Sequence, residues 1–168
     1  MYNVAILVSS DSSFNGTRED LSGPKMKEIL EKSDEAKGIL KVTEMKILPD
    51  EKNLLCEYMK EKADNEDVNL ILTTGGTGFS NRDVMPEATK DVIEKEVLGI
   101  PEAMRLKSLE ITTRAMLSRG VAGIRNNTLI INMPGSPKAI EEMLSYVLPA
   151  VIHGLDILLG NTKNCARK

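Results

Sequence analysis

Three short apolar runs rich in branched residues, at 4–9, 40–48 and 70–72, punctuate the first half of the chain, and amphipathic stretches separate them. Apolar runs this short, bounded by polar loops, read as buried strands. Between the first two, Met26, Ile29 and Leu30 recur at helical spacing, with Ser22 as a cap and Pro24 in the first turn of a helix that ends near Gly38. After the second run, Pro49-Asp50 opens a helix with Leu54, Leu55, Tyr58, Met59 and Ala63 on its apolar side. Strands alternating with helices require right-handed crossovers. The fold expected is therefore α/β: a three-layer α/β/α arrangement around a mostly parallel sheet. Such sheets take their ligands beyond the carboxyl ends of the strands, which singles out the loops 9–23, 48–51 and 73–83.

The second half adds helices at 86–96 and 101–110 and a shorter helical piece at 112–117. Strands at 121–124 and 128–132 flank Arg125-Asn126-Asn127, and asparagine tolerates the positive φ of a tight β-hairpin. A final helix follows Pro134-Gly135-Ser136-Pro137, with apolar residues from Ile140 to Leu159 and a bend expected at Pro149. Its apolar stripe is wide enough for a subunit interface, although simple burial explains it equally well. No repeat or linker divides the 168 residues, so residues 1–168 read as one domain, with 161–168 as a flexible tail.

Composition narrows the function. A net charge of -3 with both signs interspersed offers no track for duplex nucleic acid. No apolar run approaches the roughly 20 residues of a membrane span, and the start runs straight into a strand pattern, so a cytoplasmic protein is expected. Aromatic residues make up 3% and tryptophan is absent, which disfavours stacking on single-stranded bases. Cys56 and Cys165 lack the spacing of a metal or redox pair. His153 is the sole histidine, which excludes a catalytic triad or a multi-histidine metal site; on its apolar helix it reads as packed.

Chemistry concentrates at Thr73-Thr74-Gly75-Gly76-Thr77-Gly78-Phe79, directly after a buried strand. Three glycines in four positions exceed what a turn needs, and missing Cβ atoms let main-chain amides approach an anion. The segment is neither a P-loop nor a dinucleotide fingerprint. Asp83 follows shortly, and a carboxylate beside a phosphate cradle makes sense with a divalent cation, magnesium, between them. Arg82 could neutralise the same phosphates or simply pair with Asp83. Asp50 ends the second strand, beside the glycine loop if sequential strands are neighbours. Each aspartate could instead cap the helix that follows it. Together they outline metal-assisted phosphoryl or nucleotidyl transfer. The turn Pro134-Gly135-Ser136-Pro137, ending in a serine cap, is a weaker anion site.

These segments together resemble the molybdenum-cofactor biosynthesis family, specifically its molybdopterin adenylyltransferases and the G domains of gephyrin and its plant counterpart. Residues 73–79 with Arg82-Asp83-Val84 and Pro86-Glu87-Ala88-Thr89 carry the likeness, as do 115–119, 122–125, 129–135 and 148–153. The resemblance implies a magnesium-dependent reaction in which ATP adenylates the terminal phosphate of molybdopterin and pyrophosphate leaves. It implies further that Asp50 and Asp83 are the catalytic, metal-holding pair and that Gly75, Gly76, Thr77 and Gly78 form the ligand loop. Ser108, Pro134, Gly135 and Ser136 fall on positions lining the site. A homotrimer is implied, with possible handover of product to a molybdenum-insertion protein. Lys25 stands where arginine is frequent, and Met85 replaces the usual threonine. A non-catalytic pterin carrier or trimeric scaffold is the alternative, and action on another nucleotide a third reading.

Overall fold

The computed structural model describes residues 1–65 and 67–161. The expected tail beyond residue 161, with Cys165, lies outside them. In chain order the elements are β1 (Tyr2–Ser9), α1 (Asp11–Phe14), α2 (Ser22–Lys32), β2 (Leu40–Leu48), α3 (Lys52–Asp64), β3 (Leu70–Thr74) and α4 (Met85–Lys90). There follow β4 (Lys95–Glu96), α5 (Gly99–Leu109), a 3-10 turn (Thr113–Leu117), β5 (Ala122–Arg125), β6 (Thr128–Met133) and α6 (Pro137–Leu158). One six-stranded sheet has the order β2-β1-β3-β6-β5-β4. Its first four strands are parallel, while β5 runs antiparallel to both β6 and β4.

Side chains alternate across a strand, and here both faces are covered. Val4, Ile6 and Val8 of β1, Leu70 and Leu72 of β3, and Leu129 and Ile131 of β6 meet Met26 and Leu30 of α2 and Ile140, Leu144 and Val151 of α6. Ala5, Leu7, Ile71 and Ile130 face the opposite way, against Leu55 and Met59 of α3 and Met85 and Ala88 of α4. Each valine, leucine, isoleucine or methionine among them, fully buried, contributes about 1.5–3 kcal/mol, which makes these two layers the main source of stability. The three-layer α/β/α fold expected from the sequence is the one observed.

Several local expectations change. The stretch 86–96 is not one helix: α4 stops at Lys90, and the chain turns to pair Glu94 N with Ile124 O and Val97 N with Ala122 O. Ile93 seats itself over Gly123, where an added Cβ would lie 2.5 Å from its Cδ1. The missing side chain at position 123 thus makes room for β4. Helix α2 ends at Lys32 rather than Gly38, because Ser33 is extended (ψ 135) and begins a separate turn. Ser22 is not its cap; Asp20 Oδ1 accepts the Ser22 amide instead, at 2.9 Å. The hairpin forms as expected, with Asn126 at φ 49. Helix α6 runs through Pro149 without interruption, and His153 is exposed on it rather than packed. Strand β2, bearing Lys41, Glu44 and Lys46, forms one rim of the sheet, and the two-residue β4 forms the other.

Candidate active site

Strand order reverses at β1. The chain leaves β1 for α2 on one face of the sheet and leaves β3 for α4 on the other, so a crevice opens between their carboxyl ends. The placing of Asp50 beside the glycine loop is conditional on β2 and β3 being neighbours, and β1 lies between them. Ser9, the last residue of β1, closes the gap. It is 4% exposed; its Oγ donates to Asp50 Oδ1, and its carbonyl oxygen lies against Gly75. Sequence alone gave this serine no role, since only the strand order shows which loops it joins.

The glycines are where the backbone needs them. Gly75 has φ +87, and a Cβ there would sit 2.1 Å from Ser9 O; Gly76 has φ +64. The carbonyls of this loop turn toward the protein: Gly76 O accepts from Met85 N, Thr77 O from Arg119 N, and Gly78 O from Arg119 Nε at 2.7 Å. Arg119 also donates to Asp83 O and pairs with Glu87. Among the described residues the amides of Gly75, Gly76, Thr77 and Gly78 have no acceptor. Successive bare N–H groups of this kind form a concavity suited to an anion. Arg119 is a second residue whose part the sequence did not show, because it lies 41 positions from Gly78.

Neither aspartate caps a helix. The cap position is Glu51 for α3 and Val84 for α4, and neither helix has a side-chain cap. Asp50 instead accepts Ser9 Oγ on one oxygen and the Asp11 amide on the other, at 3.0 Å. Asp83 Oδ2 accepts the Ser80 amide at 2.7 Å and lies 2.9 Å from the Cβ position of Gly78. One carboxylate therefore reaches the Gly75–Gly76 end of the loop through Ser9, and the other adjoins its Gly78 end. Arg82 does not pair with Asp83. It grips Asp11 with two nitrogens, each at 3.0 Å, and reaches Glu51 at 2.8 Å.

The Arg82 guanidinium, and after it the Asp50 amide, hold the Asp11 carboxyl below the ordinary aspartate range. A carboxyl whose pKa falls on folding contributes stability above its unfolded pKa and loses it as pH falls through the folded value. A carbon-detected NMR titration is expected to place the Asp11 midpoint below about 3.9 and to move it upward in Arg82→Gln. An unshifted midpoint in the unsubstituted protein would show that the pair does not persist in solution.

Two cavities adjoin the loop. The larger, about 300 Å³, is mostly apolar and is walled by Thr77, Gly78, Met104, Arg105, Ser108, Leu117, Pro134 and Gly135. A smaller one, about 180 Å³, lies between Ser9, Ser10, Arg18, Asp20, Thr74, Gly75 and Gly135. Thr74 Oγ1 donates to Pro134 O and Ser22 Oγ to Gly135 O, tying the Pro-Gly turn between them. Buried Asn132 bonds Thr73 and Thr89 beneath the larger cavity. Of the residues selected by sequence, Thr77, Gly78, Ser108, Pro134 and Gly135 line the first cavity, and Gly75 and Gly135 the second. Gly76, Asp50 and Asp83 line neither, although Asp50 is bonded to Ser9 of the second and Asp83 adjoins Gly78 of the first. Ser136 caps α6 by accepting the Ala139 amide and lines neither cavity among the described residues.

The fold is that of an α/β domain whose glycine-rich loop, with its amides unbonded among the described residues, stands at the switch point of the sheet. Residues 5–153 match the family model described as "Probable molybdopterin binding domain", and the chain belongs to this molybdenum-cofactor biosynthesis family. It is 42% identical to a molybdopterin adenylyltransferase of Helicobacter pylori over 161 residues, which are 95% of this chain and 89% of that protein. It is also 42% identical to gephyrin of Dictyostelium discoideum over 96% of this chain but only 23% of the much longer relative. Among solved structures, the molybdopterin biosynthesis enzyme MoaB of Thermus thermophilus superposes with a TM-score of 0.87 at 44% identity, covering 95% of this chain and 98% of that one.

Proposed function

We propose that this chain is a molybdopterin adenylyltransferase acting in the cytoplasm, which transfers AMP from ATP to the terminal phosphate of molybdopterin. The carrying observation is the row of uncommitted amides from Gly75 to Gly78, set between Asp50 and Asp83 with a cavity on either side. The name of the Helicobacter pylori relative supports the choice of substrate. In the reaction a phosphate oxygen of the pterin attacks the α-phosphorus of ATP, and the bond to the departing pyrophosphate breaks. Amides that need no reorganisation hold the negative oxygens while charge shifts between them.

Asp50 and Asp83 would hold magnesium. Hard oxygen donors suit that ion, which is commonly bound by one or two carboxylates with the rest of its shell from phosphate and water. When bound, magnesium supplies charge neutralisation at the phosphates. Leu106, Ile111, Met116, Leu117 and Tyr146 are all at least half exposed on α5, the following turn and α6. Exposed apolar side chains of this kind are what further copies would cover in a homotrimer. Its adenylylated product would pass to a molybdenum-insertion protein. No helix among the described residues is long and apolar enough to cross a membrane.

Purified protein given ATP, magnesium chloride and molybdopterin is expected to yield adenylylated pterin and pyrophosphate in equal amounts, and EDTA should stop both. Tight pterin binding without ATP turnover at every magnesium concentration would replace this reading with a carrier.

A further inference from the structure

We infer that Arg82 and Asp11 form a clasp that sets the spacing of Asp50 and Asp83, making both of them positioning residues for the reaction. The inference rests on the adenylyltransferase reading given above. Its ground is a closed ring of contacts. Arg82 is covalently next to Asp83, and Glu51 is covalently next to Asp50. The guanidinium of Arg82 bonds both oxygens of Asp11 at 3.0 Å and Glu51 at 2.8 Å. Asp11 in turn is locked to Asp50 twice: its amide donates to Asp50 Oδ2, and its Oδ1 accepts the Asp50 amide, each at 3.0 Å.

Three loops, from the ends of β1, β2 and β3, thus meet at one side chain. Without it, the Asp83 loop has no side-chain hydrogen bond or ion pair to the Asp11–Asp50 unit among the described residues. A two-nitrogen fork on a carboxylate fixes orientation as well as distance, which a single ammonium cannot do. Displacing a reacting group by about 1 Å can cost about a hundredfold in rate. A clasp of this kind would govern turnover more than substrate affinity. The competing use of Arg82, direct contact with substrate phosphate, would govern affinity first.

The test is a double-mutant cycle on the full chain with Asp11→Asn and Arg82→Gln, plus Arg82→Lys. Asp11→Asn keeps an oxygen for the Asp50 amide and keeps its own N–H, so it removes the charged half of the clasp alone. Each single variant should lower kcat by about tenfold to a hundredfold. The double variant should be no slower than the worse single one, because both remove one interaction. KM for ATP and Kd for molybdopterin should move by less than about twofold, and Arg82→Lys should not restore kcat. In the ligand-free protein, hydrogen exchange at the Asp11 and Asp50 amides should quicken alike in both single variants. Multiplicative losses, or a raised KM with kcat intact, would overturn the clasp. A wild-type protein without adenylyl transfer would instead defeat the functional reading, and the exchange data would still judge the clasp.

Discussion

Asp83→Asn is expected to lower adenylyl transfer by roughly a thousandfold while molybdopterin still binds. Asparagine keeps an oxygen for the Ser80 amide, so the turn that presents residue 83 survives the change. What disappears is the negative charge beside Gly78, and with it, on the proposed mechanism, an oxygen that would hold magnesium. Rapid-quench measurement of adenylylated pterin, set against calorimetric pterin binding, separates the two effects. Turnover within tenfold of the parent would remove Asp83 from the reaction. Loss of pterin affinity with the remaining turnover normal would assign it to substrate binding instead.

Gly75→Ala should be the most damaging small change in the chain. Its φ of +87 disfavours any side chain, and the added carbon would fall 2.1 Å from the main-chain oxygen of Ser9. Strain in the left-handed region together with a backbone clash is expected to cost about 3 kcal/mol. For a protein of this size that corresponds to a fall in Tm of roughly 6–12 °C by calorimetry. Gly76→Ala supplies the comparison: its φ is also positive, but the nearest atom to the new carbon would be 3.4 Å away, so about 1 kcal/mol is expected. Equal losses at the two positions would mean that strain alone, without the Ser9 contact, sets the cost. Because Ser9 also holds Asp50, relief of the clash at Gly75 would disturb a candidate catalytic carboxylate as well.

Much of the fold was legible because its signals are local. The branched run of β1 and the spacing of Met26, Ile29 and Leu30 in α2 carry their own periodicity, which places the strand and the start of the helix but not the end of the helix at Lys32. Strand β4 was not legible, because Lys95 and Glu96 are extended only through pairing with β5 and the space that Gly123 leaves for Ile93. The same division holds at the site. Glycines 75, 76 and 78 announce themselves through spacing, and Asp50 and Asp83 through their place after strands. Ser9, Asp11, Arg82 and Arg119 act through partners far along the chain, and the insertion of β1 between β2 and β3 decides which partners those are. Ser136 belongs with the local signals, since the cap read from the Pro-Gly-Ser-Pro turn is the one observed, and only its part in holding ligand rests on the resemblance.

The rims of the sheet have a consequence for how copies of the molecule can meet. Unpaired strand borders invite pairing with another chain, and charged side chains, lysine above all, discourage it. Here Lys41, Glu44 and Lys46 guard one border, and at the other only Lys95 and Glu96 are available, too few to template a partner. Continuation of the sheet from molecule to molecule is thereby disfavoured, and with it the edge-to-edge stacking by which fibrils grow.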